Sequence, residues 1–166
     1  ALTSELSLQA VLQRLLEVAK AHVGARYAAM SILGPDGETA QFISSGISDE
    51  ERERIGDPPD GHGLLGLLLR EGQSLRLPDI EKDPRHADFP PNHPQMKSLL
   101  GVPVVHKGRI IGNLYLTDKQ GAPGFSEHDQ EILESLAAQA AVAIRKAELF
   151  EEATRSAAEW KALFEL

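Results

Sequence analysis

The chain has 166 residues, 42% apolar and 25% charged, proportions that allow one well-buried core and exclude a wholly disordered polymer. Its 17 basic residues face 25 acidic ones, and the net charge of -8 disfavours nucleic acid and anionic lipid as partners. The absence of cysteine excludes disulfides, thiolate zinc sites, cysteine nucleophiles and thioether-linked chromophores, and fits a cytoplasmic location.

From Ser7 to about His22, Leu8, Val11, Leu12, Leu15, Leu16 and Ala19 recur at helical spacing, with Ser7 placed to cap the helix. Apolar runs at 27–33 and 39–45 flank Gly34-Pro35-Asp36-Gly37 and predict a hairpin. Ser48 and Glu51 have capping-box spacing, which predicts a short polar helix over 49–55. The glycine- and proline-rich stretch 56–63 reads as a loop feeding a short buried helix at Leu64–Leu69. A strand is expected near 74–77, and the proline-rich segment 78–94 reads as a long loop of the kind that often carries function. Segments 99–105 and 109–117, joined by His106-Lys107-Gly108, predict a second hairpin.

Ser126 and Asp129 open a final helix whose apolar stripe runs through Ile132, Leu133, Leu136, Ala140, Ile144 and Phe150, with no stop signal before the end. Such a helix outruns the surface of one small domain. The small residues 137–143 allow close helix approach, and a homodimer through the first and last helices is expected. No apolar run reaches the ~20 residues that span a bilayer, and the first residues lack the character of a secretion leader.

The order helix, hairpin, loop-rich middle, hairpin, long helix, with Leu100-Gly101-Val102-Pro103-Val104 and Gly112-Asn113-Leu114-Tyr115-Leu116-Thr117-Asp118-Lys119, resembles the GAF domain family. The resemblance implies an α/β (α+β) fold with a central antiparallel sheet of about five or six strands, helices on one face, a ligand pocket on the other and a long C-terminal signalling helix. It divides the chain into a GAF sensory domain at 1–152 and a helical linker at 153–166 leading toward a PAS or kinase output module. Within the family, the Gly24-Ala25-Arg26-Tyr27, Phe89-Pro90-Pro91-Asn92-His93-Pro94 and Leu114–Lys119 segments are similar to the haem-binding domains of mycobacterial dormancy sensor histidine kinases. That similarity implies haem b ligated by His93, with Tyr115 on the distal side near a diatomic gas, O2, NO or CO.

The residue chemistry agrees with this. Iron in haem takes a neutral imidazole, and prolines stiffen the segment that carries His93. Met30, Phe42, Leu64, Leu65, Leu67, Leu68, Leu99 and Leu100 are candidates for an apolar wall. Strand alternation sets Asn113, Tyr115 and Thr117 on one face. His62 and His86 are rival ligands, His62 being loosened by its flanking glycines. The alternating signs of Asp79, Glu81, Lys82, Asp83, Arg85 and Asp88 read as a solvated surface. No phosphate cradle, nucleophile elbow or kinase signature is present, so a sensory domain rather than an enzyme is expected. Two alternatives stay open: a haem-free pocket for another small molecule, and a dimerisation and relay module with no ligand.

Overall fold

The computed structural model describes residues 2–56, 63–86 and 88–165, with side chains from residue 8 onward. Helix α1 runs over Leu2–Val23, so it starts well before Ser7, which lies inside the helix instead of capping it. The leucines and glutamate that precede Ser7 are good helix formers, and a serine costs little in a helix interior. Gly24 stops α1: at φ 78° its N–H reaches back to the Lys20 carbonyl at 3.0 Å, a left-handed cap that glycine adopts without strain.

Strands β1 (Ala25–Leu33) and β2 (Thr39–Ser45) form the expected hairpin, and helix α2 (Asp49–Ile55) carries the expected reciprocal cap between Ser48 and Glu51. Helix α3 covers Gly63–Glu71 and strand β3 Leu75–Leu77; the loop after β3 holds one 3-10 turn at Ile80–Lys82. Strands β4 (Leu99–His106) and β5 (Arg109–Lys119) meet at Lys107 and Gly108, both at positive φ, the turn whose twist matches an antiparallel pair. Helix α4 then runs unbroken over Glu127–Phe164, 38 residues.

Among the described residues the sheet has five strands in the order β2-β1-β5-β4-β3, with every neighbouring pair antiparallel. Strand alternation divides it into two faces. Ala28, Met30 and Ile32 of β1, Leu100, Val102 and Val104 of β4, and Leu114 and Leu116 of β5 pack against Leu12, Leu16 and Ala19 of α1 and Leu133, Ala137, Ala140 and Ile144 of α4. This is the main core. The alanines on α4 let the two helices lie close over the sheet.

A short polar network fixes where α4 begins. Ser126 and Asp129 cap each other, and the Asp129 carboxylate meets the Lys119 ammonium at 3.1 Å. Burial pushes the Asp129 carboxyl up, but the Ser126 backbone N–H and Lys119 outweigh it and hold the group below its ordinary value. A carboxyl lowered in the folded state stabilises the fold above the unfolded value of about 4 and loses that contribution as pH falls through the lowered one. Asp129→Asn is therefore expected to cost about 1 kcal/mol at pH 7, the usual scale for a cap. Urea melts should show this gap closing below pH 4; a gap independent of pH would contradict the assignment.

Candidate functional site

The opposite face of the sheet carries the candidate site. Register places Tyr27, Thr117 and Leu99 in one cross-strand row and Ala29, Tyr115 and Gly101 in the next, with Ser31 beside Asn113 beyond them. Small neighbours flank Tyr115, so the largest side chain of its row stands between an alanine and a glycine. Tyr115 is buried in an apolar cluster with Tyr27, Ala29, Leu64, Ile80, Met96 and Leu99, against which Phe42, Leu65 and Phe89 also pack.

Helix α3 is fastened over this face by one buried amide. Asn113 accepts from the Ser31 N–H at 3.2 Å and donates to the Leu65 carbonyl at 3.3 Å. It is 1% exposed, so both bonds are made away from water, where an unmade one costs about 1–3 kcal/mol. Leu68 of the same helix is buried, and a Cβ on Gly101 would come within 2.4 Å of its Cδ1, so glycine there is what lets α3 approach β4.

Two hydroxyls on this face lack partners. The Tyr115 phenol has no hydrogen bond to any described residue, and burial pushes it well above its ordinary value, keeping it neutral and a donor at physiological pH. The Thr117 hydroxyl is buried and unpartnered as well. A buried hydroxyl without a partner, as at Thr117, is rare inside folded proteins.

His93 sits at the rim. Prolines bracket it, Asn92 turns the chain at φ 66°, and the His93 N–H closes a turn onto the Pro90 carbonyl at 3.2 Å. Asn92 also donates to the Arg54 carbonyl at 3.3 Å, tying the loop to the end of α2. The His93 ring is half-buried and stacks on Phe89 with centroids 4.7 Å apart. Its Nδ1 lies 2.7 Å from the Pro94 carbonyl. A carbonyl can only accept, so Nδ1 carries the proton, and in the neutral ring the lone pair is on Nε2. Phe89 thus links the imidazole to the Tyr115 cluster.

The sequence candidates separate on this geometry. Phe42, Leu64, Leu99 and Tyr115 gather in one cluster, with His93 joined to it through Phe89. Met30 and Leu100 do not: both are fully buried in the main core beneath α1 and α4, because strand alternation points them away from Tyr115. Leu67 is half-buried outside that cluster, and Leu68 lies on the α3 face toward Gly101. His62 lies outside the described residues. Ile80, Met96 and the Asn113 tether escaped the sequence reading; the signal for the first two was an apolar residue isolated in a polar, proline-rich stretch. Among the described residues no three His, Asp or Glu side chains converge on a metal-sized site. No helix of the described residues is long and apolar enough to cross a membrane.

Comparison with known proteins places this architecture. A Nif-specific regulatory protein of Azospirillum lipoferum is 25% identical over 162 residues, which cover 94% of this chain and 26% of that protein. The chain thus spans about a quarter of that relative's length. The GAF domain of an Acinetobacter phosphoenolpyruvate-protein phosphotransferase superposes with a TM-score of 0.71 at 24% identity, over 86% of this chain and 84% of that one. A free methionine-R-sulfoxide reductase of Neisseria meningitidis, solved with its substrate, has a TM-score of 0.68 at 21% identity, over 86% of this chain and 80% of that one. The GAF domain model matches residues 7–144, most of the length, and with the sheet order and paired helices above it establishes that this chain belongs to the GAF domain family.

Proposed function

We propose that this GAF domain is a haem-dependent sensory module, with His93 as the axial ligand, Tyr115 as the donor on the gas side and α4 as the output. The observation that carries the reading is the His93 ring, with Nδ1 bonded to the Pro94 carbonyl and the ring stacked on an aromatic of the Tyr115 cluster. An axial histidine is held in this way, with its second nitrogen anchored so that the ligating one is basic and fixed in direction. Phe42, Leu64 and Leu99 supply apolar surface on the same face. Haem bound there supplies an iron centre that takes O2, NO or CO or changes oxidation state.

The chain's own residues account for selectivity and relay. Tyr115, a largely buried side chain with no hydrogen bond to a described residue, is free to donate to a polar diatomic ligand, and Thr117 stands two residues along the same strand face. Lys119, which ends that strand, is paired to Asp129 in the first turn of α4. A displacement of β5 therefore reaches the helix that leaves the domain. Along α4 the positions Val142, Lys146, Leu149, Ala153, Ser156, Trp160 and Leu163 alternate by four and three residues, a coiled-coil seam, and the apolar ones Val142, Leu149, Trp160 and Leu163 are exposed. A second copy of the chain is the partner this seam fits, with 153–166 as the linker toward a cytoplasmic PAS or kinase module.

Adding haemin in increments to the purified chain is expected to build a Soret band that saturates at one equivalent, and Tyr115→Phe should speed O2 release severalfold with uptake unchanged. Failure of the chain to take up haemin would remove this reading. The unpartnered Tyr115 and Thr117 hydroxyls also suit a small polar ligand, which native mass spectrometry of the same sample would detect.

A further inference from the structure

A cavity of about 550 Å³ opens at the end of the sheet where β1 begins and β5 ends. Its walls include Arg26, Lys82, Lys97 and Lys119, against only Asp79 and Asp118 as acids. On a chain of net charge -8, four cations around one cavity stand against the overall balance. A cleft lined by one sign of charge concentrates the opposite ion.

The acids are already engaged by their own loops. Asp118 accepts the Lys97 backbone N–H at 2.6 Å, and Asp79 accepts that of Glu81 at 3.1 Å while Lys82 lies 3.9 Å from its other oxygen. Lys119 is held by Asp129. The Arg26 guanidinium and the Lys97 ammonium have no carboxylate within ion-pairing distance among the described residues; Arg26 rests over the Tyr27 ring at 5.2 Å and its charge helps hold the Glu51 carboxyl below its ordinary value. Ser98, 3% exposed, also lines the cavity; its hydroxyl accepts from the Lys119 N–H at 2.9 Å and finds no acceptor for its own proton among the described residues. Two cations without an ion-pair partner among the described residues and a buried hydroxyl line one cavity, donors suited to an anion with several acceptor oxygens.

We infer that this cavity binds a small molecule carrying a phosphate group, held by Arg26, Lys97 and Ser98. The site is separate from the face that carries Tyr115 and His93. It borders Lys119, the residue that also holds the start of α4, so an anion seated there draws on the same ammonium as Asp129 and bears on the output helix.

The test is calorimetric titration of the whole chain with inorganic pyrophosphate at fixed ionic strength, together with amide NMR. Saturable binding is expected, with shifts centred on Lys97, Ser98 and Lys119, and a loss of affinity of at least about tenfold in R26Q/K97Q. Both side chains are exposed, so the double variant should keep its fold and any haemin uptake. The charge-preserving R26K/K97R should lose less affinity than R26Q/K97Q, since the net charge is kept while the guanidinium's paired donors are moved. No saturable binding by wild type, or equal affinity in R26Q/K97Q, would overturn the proposal whatever haemin does.

Discussion

Replacing His93 by alanine should weaken haemin binding about 100-fold, or about 2.7 kcal/mol, and abolish the spectrum of a histidine-ligated iron. Among the described residues His93 is the histidine that stacking on Phe89 joins to the Tyr115 cluster. The substitution removes a half-buried ring from a loop, not a core side chain, and the turn at Pro90, set by backbone, stays in place. Free imidazole added to His93→Ala should restore both the spectrum and much of the affinity, which a merely structural histidine would not allow. Unchanged affinity and spectrum in the variant would assign the iron to another residue.

Leu133→Ala carries the largest expected cost in stability. Leu133 is fully buried where α4 meets α1 and the sheet, and deleting a buried leucine side chain costs about 3–4 kcal/mol in lost transfer and cavity terms. For a domain of this size that lowers the melting temperature by about 10 °C. The effect should exceed that of Leu149→Ala on the same helix, since Leu149 is 48% exposed in the single chain. A scanning-calorimetry difference below ~1 kcal/mol at position 133 would mean that α4 is not seated as described.

Much of the fold could be read in advance because its signals are local. The Ser48–Glu51 and Ser126–Asp129 capping boxes, the Lys107-Gly108 turn and the α4 stripe each specify an element within a few residues, and each is present. Helix α1 starts before Ser7 because a serine that can cap can also sit inside a helix. The site was less legible because it is assembled from distant segments. Met30 illustrates the difficulty: it has the apolar character expected of a pocket wall, but the phase of β1 turns it into the main core. Conversely, Ile80 and Met96 join the Tyr115 cluster only because the long loop folds back across the sheet, which no periodicity announces. Strand alternation sets Asn113 on the face of Tyr115; that it fastens α3 to β1 depends on the third dimension.

Tyr115, Thr117 and Lys119 follow one another on β5, and Lys119 meets Asp129 in the first turn of α4. Both the proposed gas-side donor and the phosphate cavity therefore border the same strand end, and α4 carries whichever signal arrives.

Resonance Raman spectroscopy of the reduced, haem-loaded protein addresses the His93 assignment most directly. An iron–imidazole stretching band is predicted in the wild type, moving on 15N labelling of histidine and vanishing in His93→Ala while Tyr115→Phe leaves it in place. A band that survives His93→Ala, or no such band in the wild type, would contradict the assignment.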